Sequence, residues 1–117
     1  MISGLAGTVL FSPDHTKLVP FYRDTLGLHV TDEMNGMVFF GTQFLVGTHS
    51  ELNGPAKEPE RQIPTFQTDD IRADYARLKA KGVVFHSEPA QIGPVLQVTL
   101  RDPDGNFVNL IQFLEGA

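Results

Sequence analysis

Asp14-His15-Thr16-Lys17-Leu18-Val19-Pro20-Phe21-Tyr22-Arg23-Asp24-Thr25-Leu26-Gly27 decides the fold, because its plan returns in Asp70-Ile71-Arg72-Ala73-Asp74-Tyr75-Ala76-Arg77-Leu78-Lys79-Ala80-Lys81-Gly82. Each stretch opens on an aspartate that ends a strand and precedes a helix, Asp69-Asp70 offering an N-cap carboxylate in the second, and closes on a glycine, Gly27 being able to take the left-handed conformation that ends a helix. Between them lie apolar residues at helical spacing: Leu18, Phe21, Tyr22 and Leu26 in the first, Ile71, Tyr75 and Leu78 in the second. Pro20 has no amide hydrogen and is tolerated only in a first turn, which puts the start of the regular helix near Lys17. Lys79 and Lys81 fall in the last turn of the second helix, where the dipole favours cations. The opening aspartates stand 56 positions apart and the closing glycines 55. Two such offsets point to a duplicated unit of about half the chain.

Outward from these helices the rest reads as strands. Residues 5–11 are largely apolar and are stopped by Ser12-Pro13-Asp14; residues 28–33 and 37–40 flank Asn35-Gly36, a strong hairpin signal; residues 43–48 follow. In the second half, strands are expected at 63–68, 83–86, 95–101 and 107–113. A longer loop is expected over 87–93, and a turn at Asp102-Pro103-Asp104-Gly105. Residues 49–62, with Gly54, Pro55 and Pro59, show no periodicity and read as a linker. The expected organisation is one α+β domain over 1–117. Its first β-α-β-β-β module spans about 1–48, its linker 49–62 and its second module about 63–117.

Composition narrows the function. The chain has 117 residues, enough to bury about two-thirds of its unfolded surface in one core. A net charge of −5 speaks against nucleic acid as a partner, since phosphate binding needs a concentrated basic face. Cysteine is absent, which excludes disulfides, thiolate catalysis and Cys-ligated metal sites. Residues 1–11 carry no basic flank and are not expected to be a signal peptide. No apolar run approaches the roughly 18 residues needed to span a bilayer. The default expectation is a soluble cytoplasmic domain with no membrane partner.

Three segments together carry a family resemblance. Asp14 with Phe21-Tyr22-Arg23-Asp24-Thr25-Leu26-Gly27-Leu28 resembles a first-module helix ending in FY…LGL. Asp69-Asp70-Ile71, followed by Leu78 to Val83, is similar to a D-D-(I/V)…L…G pattern. Arg101-Asp102-Pro103-Asp104-Gly105-Asn106-Phe107-Val108-Asn109-Leu110 resembles a closing R-D-P-D-G-N-x-x-E-L motif in all but one position. The chain thus resembles the glyoxalase/bleomycin-resistance/extradiol-dioxygenase superfamily, the vicinal oxygen chelate proteins. The resemblance implies two tandem βαβββ modules forming a curled mixed sheet around a central cleft, usually in a dimer. In the family's enzymes it also implies a divalent metal held by His, Glu or Gln from the first, fourth, fifth and eighth strands.

Carried over by position, those ligands fall on Gly7, Ile63 and Asn109, with Leu45 to Thr48 on the fourth strand. None offers the carboxylate or imidazole that hard or borderline divalent ions require, so neither a metal nor another cofactor is expected. His15, His29, His49 and His86 show no ligand spacing, although His29 and His86 could face the cleft as polar contacts. No G-x-S-x-G turn and no phosphate-binding loop is present. No catalytic residue is assigned.

Strand alternation gathers Gly7, Val9 and Phe11 with Ile63, Thr65 and Gln67, and with Phe107, Asn109, Ile111 and Phe113. Leu10, Phe66, Val108 and Leu110 are expected under the helices. Phe39, Phe40 and Phe44 extend this cleft or contribute to a dimer interface. Arg101 is the one cation nearby, paired with an anionic ligand or with Asp102 or Asp104. The expected ligand-binding set is Val9, Phe11, Phe44, Ile63, Thr65, Gln67, Arg101, Phe107, Asn109, Ile111 and Phe113. Apolar walls with sparse polar groups suit a small apolar or aromatic ligand. The leading expectation is a homodimeric, non-metal binding protein, antibiotic sequestration being one version. One alternative is a lyase, isomerase or dioxygenase using non-family ligands, or acid–base work by His29, His86 or Glu88. The other is a structural or partner-binding module with a filled cleft.

Overall fold

Asp14 caps the first helix. In the computed structural model, which describes residues 1–115, its carboxylate accepts from the Thr16 amide at 3.0 Å and the Thr16 hydroxyl at 2.6 Å. Helix α1 therefore begins earlier than Lys17, and spans His15–Pro20. Pro20 ends it instead of sitting in its first turn. Without an N–H, Pro20 cannot bond back to the carbonyl four residues earlier, and the chain widens into a π-helical turn over Phe21–Thr25. Leu26 N–H donates to the Phe21 carbonyl at 2.9 Å, five residues back. This wider turn keeps Phe21 and Tyr22 pointing inward, where both are buried.

The residues form two compact units, Met1–Gly54 and Pro55–Ala117, divided within the expected linker. In the first, β1 (Thr8–Ser12), β2 (Val30–Met34), β3 (Met37–Phe40) and β4 (Phe44–Thr48) make a sheet of order β1-β4-β3-β2. β1 runs parallel to β4, and the other pairs are antiparallel. Asn35 and Gly36 both hold positive φ (51° and 75°), the turn that matches the natural twist of a hairpin. β2 starts at Val30, later than residue 28, because the Leu28 amide is taken by the Tyr22 carbonyl at 2.9 Å. α1 packs on β1 and β4. Tyr22 stands at the centre of this core, its ring 5.2 Å from Phe44 and 6.3 Å from Phe40.

The second unit repeats the plan with β5 (Thr65–Gln67), α2 (Ile71–Ala80), β6 (Ala90–Ile92), β7 (Val95–Arg101) and β8 (Phe107–Phe113), in sheet order β5-β8-β7-β6. β5 is parallel to β8. The Asp70 carboxylate caps α2 by accepting from the Ala73 amide at 3.1 Å. Ile71 and Leu78 are buried, as are Val98, Leu100, Val108 and Leu110 on the strands beneath. Burying side chains of this size stabilises by about 1.5–3 kcal/mol each.

One strand is not where the sequence suggests. Residues 83–86 meet β7 through an isolated bridge, Phe85 to Leu100, while the second strand of the unit is β6, inside the expected loop. Gly93 and Pro94 turn the chain so that Ile92 pairs with Val95. At the other end of β7 the Asp102 carboxylate accepts from the Asp104 and Asn106 amides and from Asn106 Nδ2, each at 2.9 Å. That turn sets Arg101 opposite Phe107, and with them the whole β7–β8 register. Within the linker, Pro59–Arg61 form a short 3-10 turn steadied by an Arg61–Glu58 ion pair at 3.0 Å.

Candidate functional site

Each sheet has one face under its helix and one free of it. In the first unit the register places Leu10, Ser12, Phe44, Val46, Phe40 and Val38 on the helix-covered face. Val9, Phe11, Leu45, Gly47, Phe39 and Met37 occupy the other. Val9 and Phe11 keep 40% and 38% of their surface exposed, which is unusual for strand residues of this kind. His49 continues the same alternation, and its ring meets Phe11 edge-on at 5.2 Å.

In the second unit the helix-free face carries Thr65 and Gln67 of β5, Phe107, Asn109, Ile111 and Phe113 of β8, and Val95, Gln97, Thr99 and Arg101 of β7. Polar contacts order its middle. Thr99 Oγ1 donates to Asn109 Oδ1 at 2.7 Å, Asn109 Nδ2 donates to Thr65 Oγ1 at 3.5 Å, and Thr65 Oγ1 donates to the Ile63 carbonyl at 3.1 Å. At one end Phe107 is buried beneath two polar rims. The Arg101 guanidinium lies 4.7 Å from its ring centroid and the His86 ring 4.6 Å from it. At the other end Phe113 is 56% exposed. Phe66, Val108 and Leu110 take the helix-covered side, as does Gln112, whose Oε1 accepts from the Ile71 amide at 2.8 Å.

The expected ligand residues thus divide. Val9 and Phe11 share the helix-free face of the first sheet, and Thr65, Gln67, Arg101, Phe107, Asn109, Ile111 and Phe113 that of the second. Ile63 lies before β5, not within it. Phe44 is corrected: it is buried against Tyr22 on the helix-covered face, together with Phe40, because its pairing with Thr8 and Phe40 turns it that way. Arg101 pairs with neither Asp102 nor Asp104; among the described residues no carboxylate forms an ion pair with it. Thr99 and Gln97 belong to this face without having been expected there, while His86, expected as a possible polar contact, lies against Phe107. The turn at Asp102 was the available signal, since it fixes which β7 residues stand beside Phe107, Asn109 and Ile111.

The positions at which the resemblance places metal ligands have their own geometry. A Cβ on Gly7 would stand 2.9 Å from the Gln43 carbonyl oxygen and 3.0 Å from Gln43 Cα, inside the closest approach that backbone allows. Leu45 and Gly47 are the fourth-strand residues on the helix-free face, and the Met37 thioether lies over Gly47. Asn109 offers an amide whose oxygen already accepts from Thr99. Among the described residues, no three His, Asp or Glu side chains gather where they could hold an ion. The His15 ring contacts Thr48 Oγ1 at 2.6 Å, and His49 Nδ1 accepts from the Glu51 amide at 3.1 Å, so both serve local structure. At the first strand-to-helix corner the Asp14 carboxyl is held below the usual carboxylate range by the Thr16 hydroxyl and amide.

The family model for the Glyoxalase/Bleomycin resistance protein/Dioxygenase superfamily matches residues 4–110. The uncharacterized protein YurT of Bacillus subtilis (strain 168) is 28% identical over 123 residues, covering 90% of this chain and 95% of YurT. A crystal structure of a protein of unknown function from Agrobacterium tumefaciens str. C58 superimposes with a TM-score of 0.82 at 20% identity, over 97% of each chain. TnmS3, an antibiotic binding protein from Streptomyces sp. CB03234, superimposes with a TM-score of 0.72 at 27% identity, over 96% of this chain and 97% of its own.

Proposed function

Because the chain belongs to the glyoxalase/bleomycin resistance protein/dioxygenase superfamily, we propose that it binds a small, largely apolar or aromatic molecule against the helix-free face of its second sheet, without a metal. The observation that carries this reading is the second unit's face. Phe107, Ile111 and the exposed Phe113 alternate there with Thr65, Gln67, Thr99 and Asn109. Apolar surface leaving water supplies about 25 cal/mol per Å², while neutral hydroxyls and amides orient the ligand at little desolvation cost. TnmS3 is an antibiotic binding protein, so sequestration of an aromatic compound is the concrete form we favour.

The donor set argues against an ion as the working group. Gly7 has no side chain and no room for one, Ile63 cannot ligate, and the Asn109 oxygen is engaged by Thr99. A neutral amide and a few hydroxyls do not make a shell for a divalent cation. No reaction step is assigned to the protein. We further propose that it assembles as a homodimer and works in the cytoplasm. No helix of the described residues is long and apolar enough to cross a membrane, and cysteine is absent from the chain.

Thermal denaturation in EDTA against a panel of aromatic antibiotics and metabolites tests the reading. A ligand that binds only the native state raises the midpoint, and raises it further with concentration. The account expects such a rise and expects chelator to leave it intact. Stabilisation only by added divalent metal would support the enzymatic alternative. No response to any compound would leave a filled structural module.

A further inference from the structure

Resting on that binding reading, we infer that the ligand of the second unit's helix-free face is an aromatic anion, held by Arg101 over Phe107. The chain as a whole carries a net charge of −5, yet β5, β6, β7 and β8 place no carboxylate on this face. The fixed charge these strands place on it is the Arg101 guanidinium, and the His86 ring lies against the same Phe107 ring. Selection for solubility alone scatters both signs over a surface. A face with one cation and no acid has the electrostatic character of an anion site.

Arg101 is also prepared for such a partner. Asp102, its neighbour in sequence, is buried and accepts three hydrogen bonds inside its own turn. The protein acceptor seen for the guanidinium is the Gly105 carbonyl, at a long 3.4 Å. A guanidinium has five N–H donors, so most of its fork is left for a carboxylate or phenolate. The 4.7 Å stacking on Phe107 holds its plane and partly shields it from water, which strengthens any charge pairing there. An aryl ring attached to the anionic group then extends toward Thr99, Asn109 and Ile111, which follow Arg101 and Phe107 along the two strands.

Calorimetric titration with three probes of one shape decides the matter: 2-naphthoate, 2-naphthamide and 2-naphthylmethylamine. The naphthoate is expected to bind about tenfold more tightly than the amide, the increment of a charge-assisted over a neutral hydrogen bond, with the amine weakest. Raising salt from about 0.05 to 0.5 M should weaken the naphthoate and leave the amide unchanged. Arg101→Met should erase the preference, and Arg101→Lys should keep part of it. Both variants are checked for a native melting transition, and the salt series on the unaltered protein stands even if they fail to fold. Amide or amine binding on a par with the naphthoate overturns this inference alone. So does silence of all three probes while the aromatic panel still stabilises the protein. If neither the probes nor the panel bind, the binding reading itself is overturned.

Discussion

Gly7→Ala is a test whose sign is decided by one close approach. Gly7 holds ordinary backbone angles, since it is absent from the positive-φ positions. Elsewhere, replacing such a glycine with alanine stabilises a protein by about 0.4–1 kcal/mol, because the unfolded chain loses freedom. Here the added Cβ meets Gln43 O at 2.9 Å, Gln43 Cα at 3.0 Å and Gln43 C at 3.1 Å, all of them backbone atoms. Those atoms cannot swing aside as a side chain could. The Thr8 amide donates to the same Gln43 oxygen at 2.7 Å, so relief of the clash must stretch the bond that leads β1 onto β4. Overpacking of this kind costs about 1–3 kcal/mol, which outweighs the entropic gain. Urea denaturation should show a lower midpoint with an unchanged slope, and the melting temperature should fall by about 3–6 °C per kcal/mol. Gly7→His should be worse still, and should gain no affinity for divalent ions. An alanine variant as stable as the parent would refute the argument that position 7 is closed to a ligand side chain.

Other perturbations follow from the same geometry. Phe113→Ser removes a residue that is mostly exposed, so stability should change by no more than about 0.5 kcal/mol while affinity for an aromatic ligand falls several-fold; equal loss of both would mean the residue is core. Asp70→Ala removes the acceptor of the Ala73 amide and should cost about 1 kcal/mol in denaturant melts. The Asp14 carboxyl is held below its usual range, so its stabilisation is complete above the unfolded-chain pKa and disappears as pH falls through the lower folded value. The difference in urea midpoint between the parent and Asp14→Asn should therefore narrow between about pH 5 and pH 2. A difference independent of pH would show that the charge is irrelevant to the cap.

Much of this fold was legible because local chemistry and tertiary structure agree. Asp70 caps its helix as expected, Asn35-Gly36 makes its turn, and the Asp102 turn sets β7 against β8. Legibility failed where a distant partner decides. The start of α1 depended on how the chain accommodates Pro20, and it did so by widening the next turn. Val83, Val84 and Phe85 have stronger strand character than Ala90, Gln91 and Ile92, yet the turn at Gly93-Pro94 delivers the latter to β7. Alternation names two faces of a strand without saying which one a helix covers, and a slip of one residue exchanges them. Phe44, expected to extend the cleft or join a dimer interface, is turned to the helix-covered face by its register with Thr8. Thr99 and Gln97 are not expected on this face because the resemblance points to β1, β4, β5 and β8, while β7 supplies a wall of its own.

The most direct measurement of the central claim is the amide spectrum of the protein titrated with an aromatic compound in the presence of chelator. The account predicts shifts concentrated at Thr65, Gln67, Thr99, Asn109 and Ile111, saturating together and unaffected by EDTA. Signals at those residues that ignore every aromatic compound yet move on addition of manganese, nickel or zinc would contradict it.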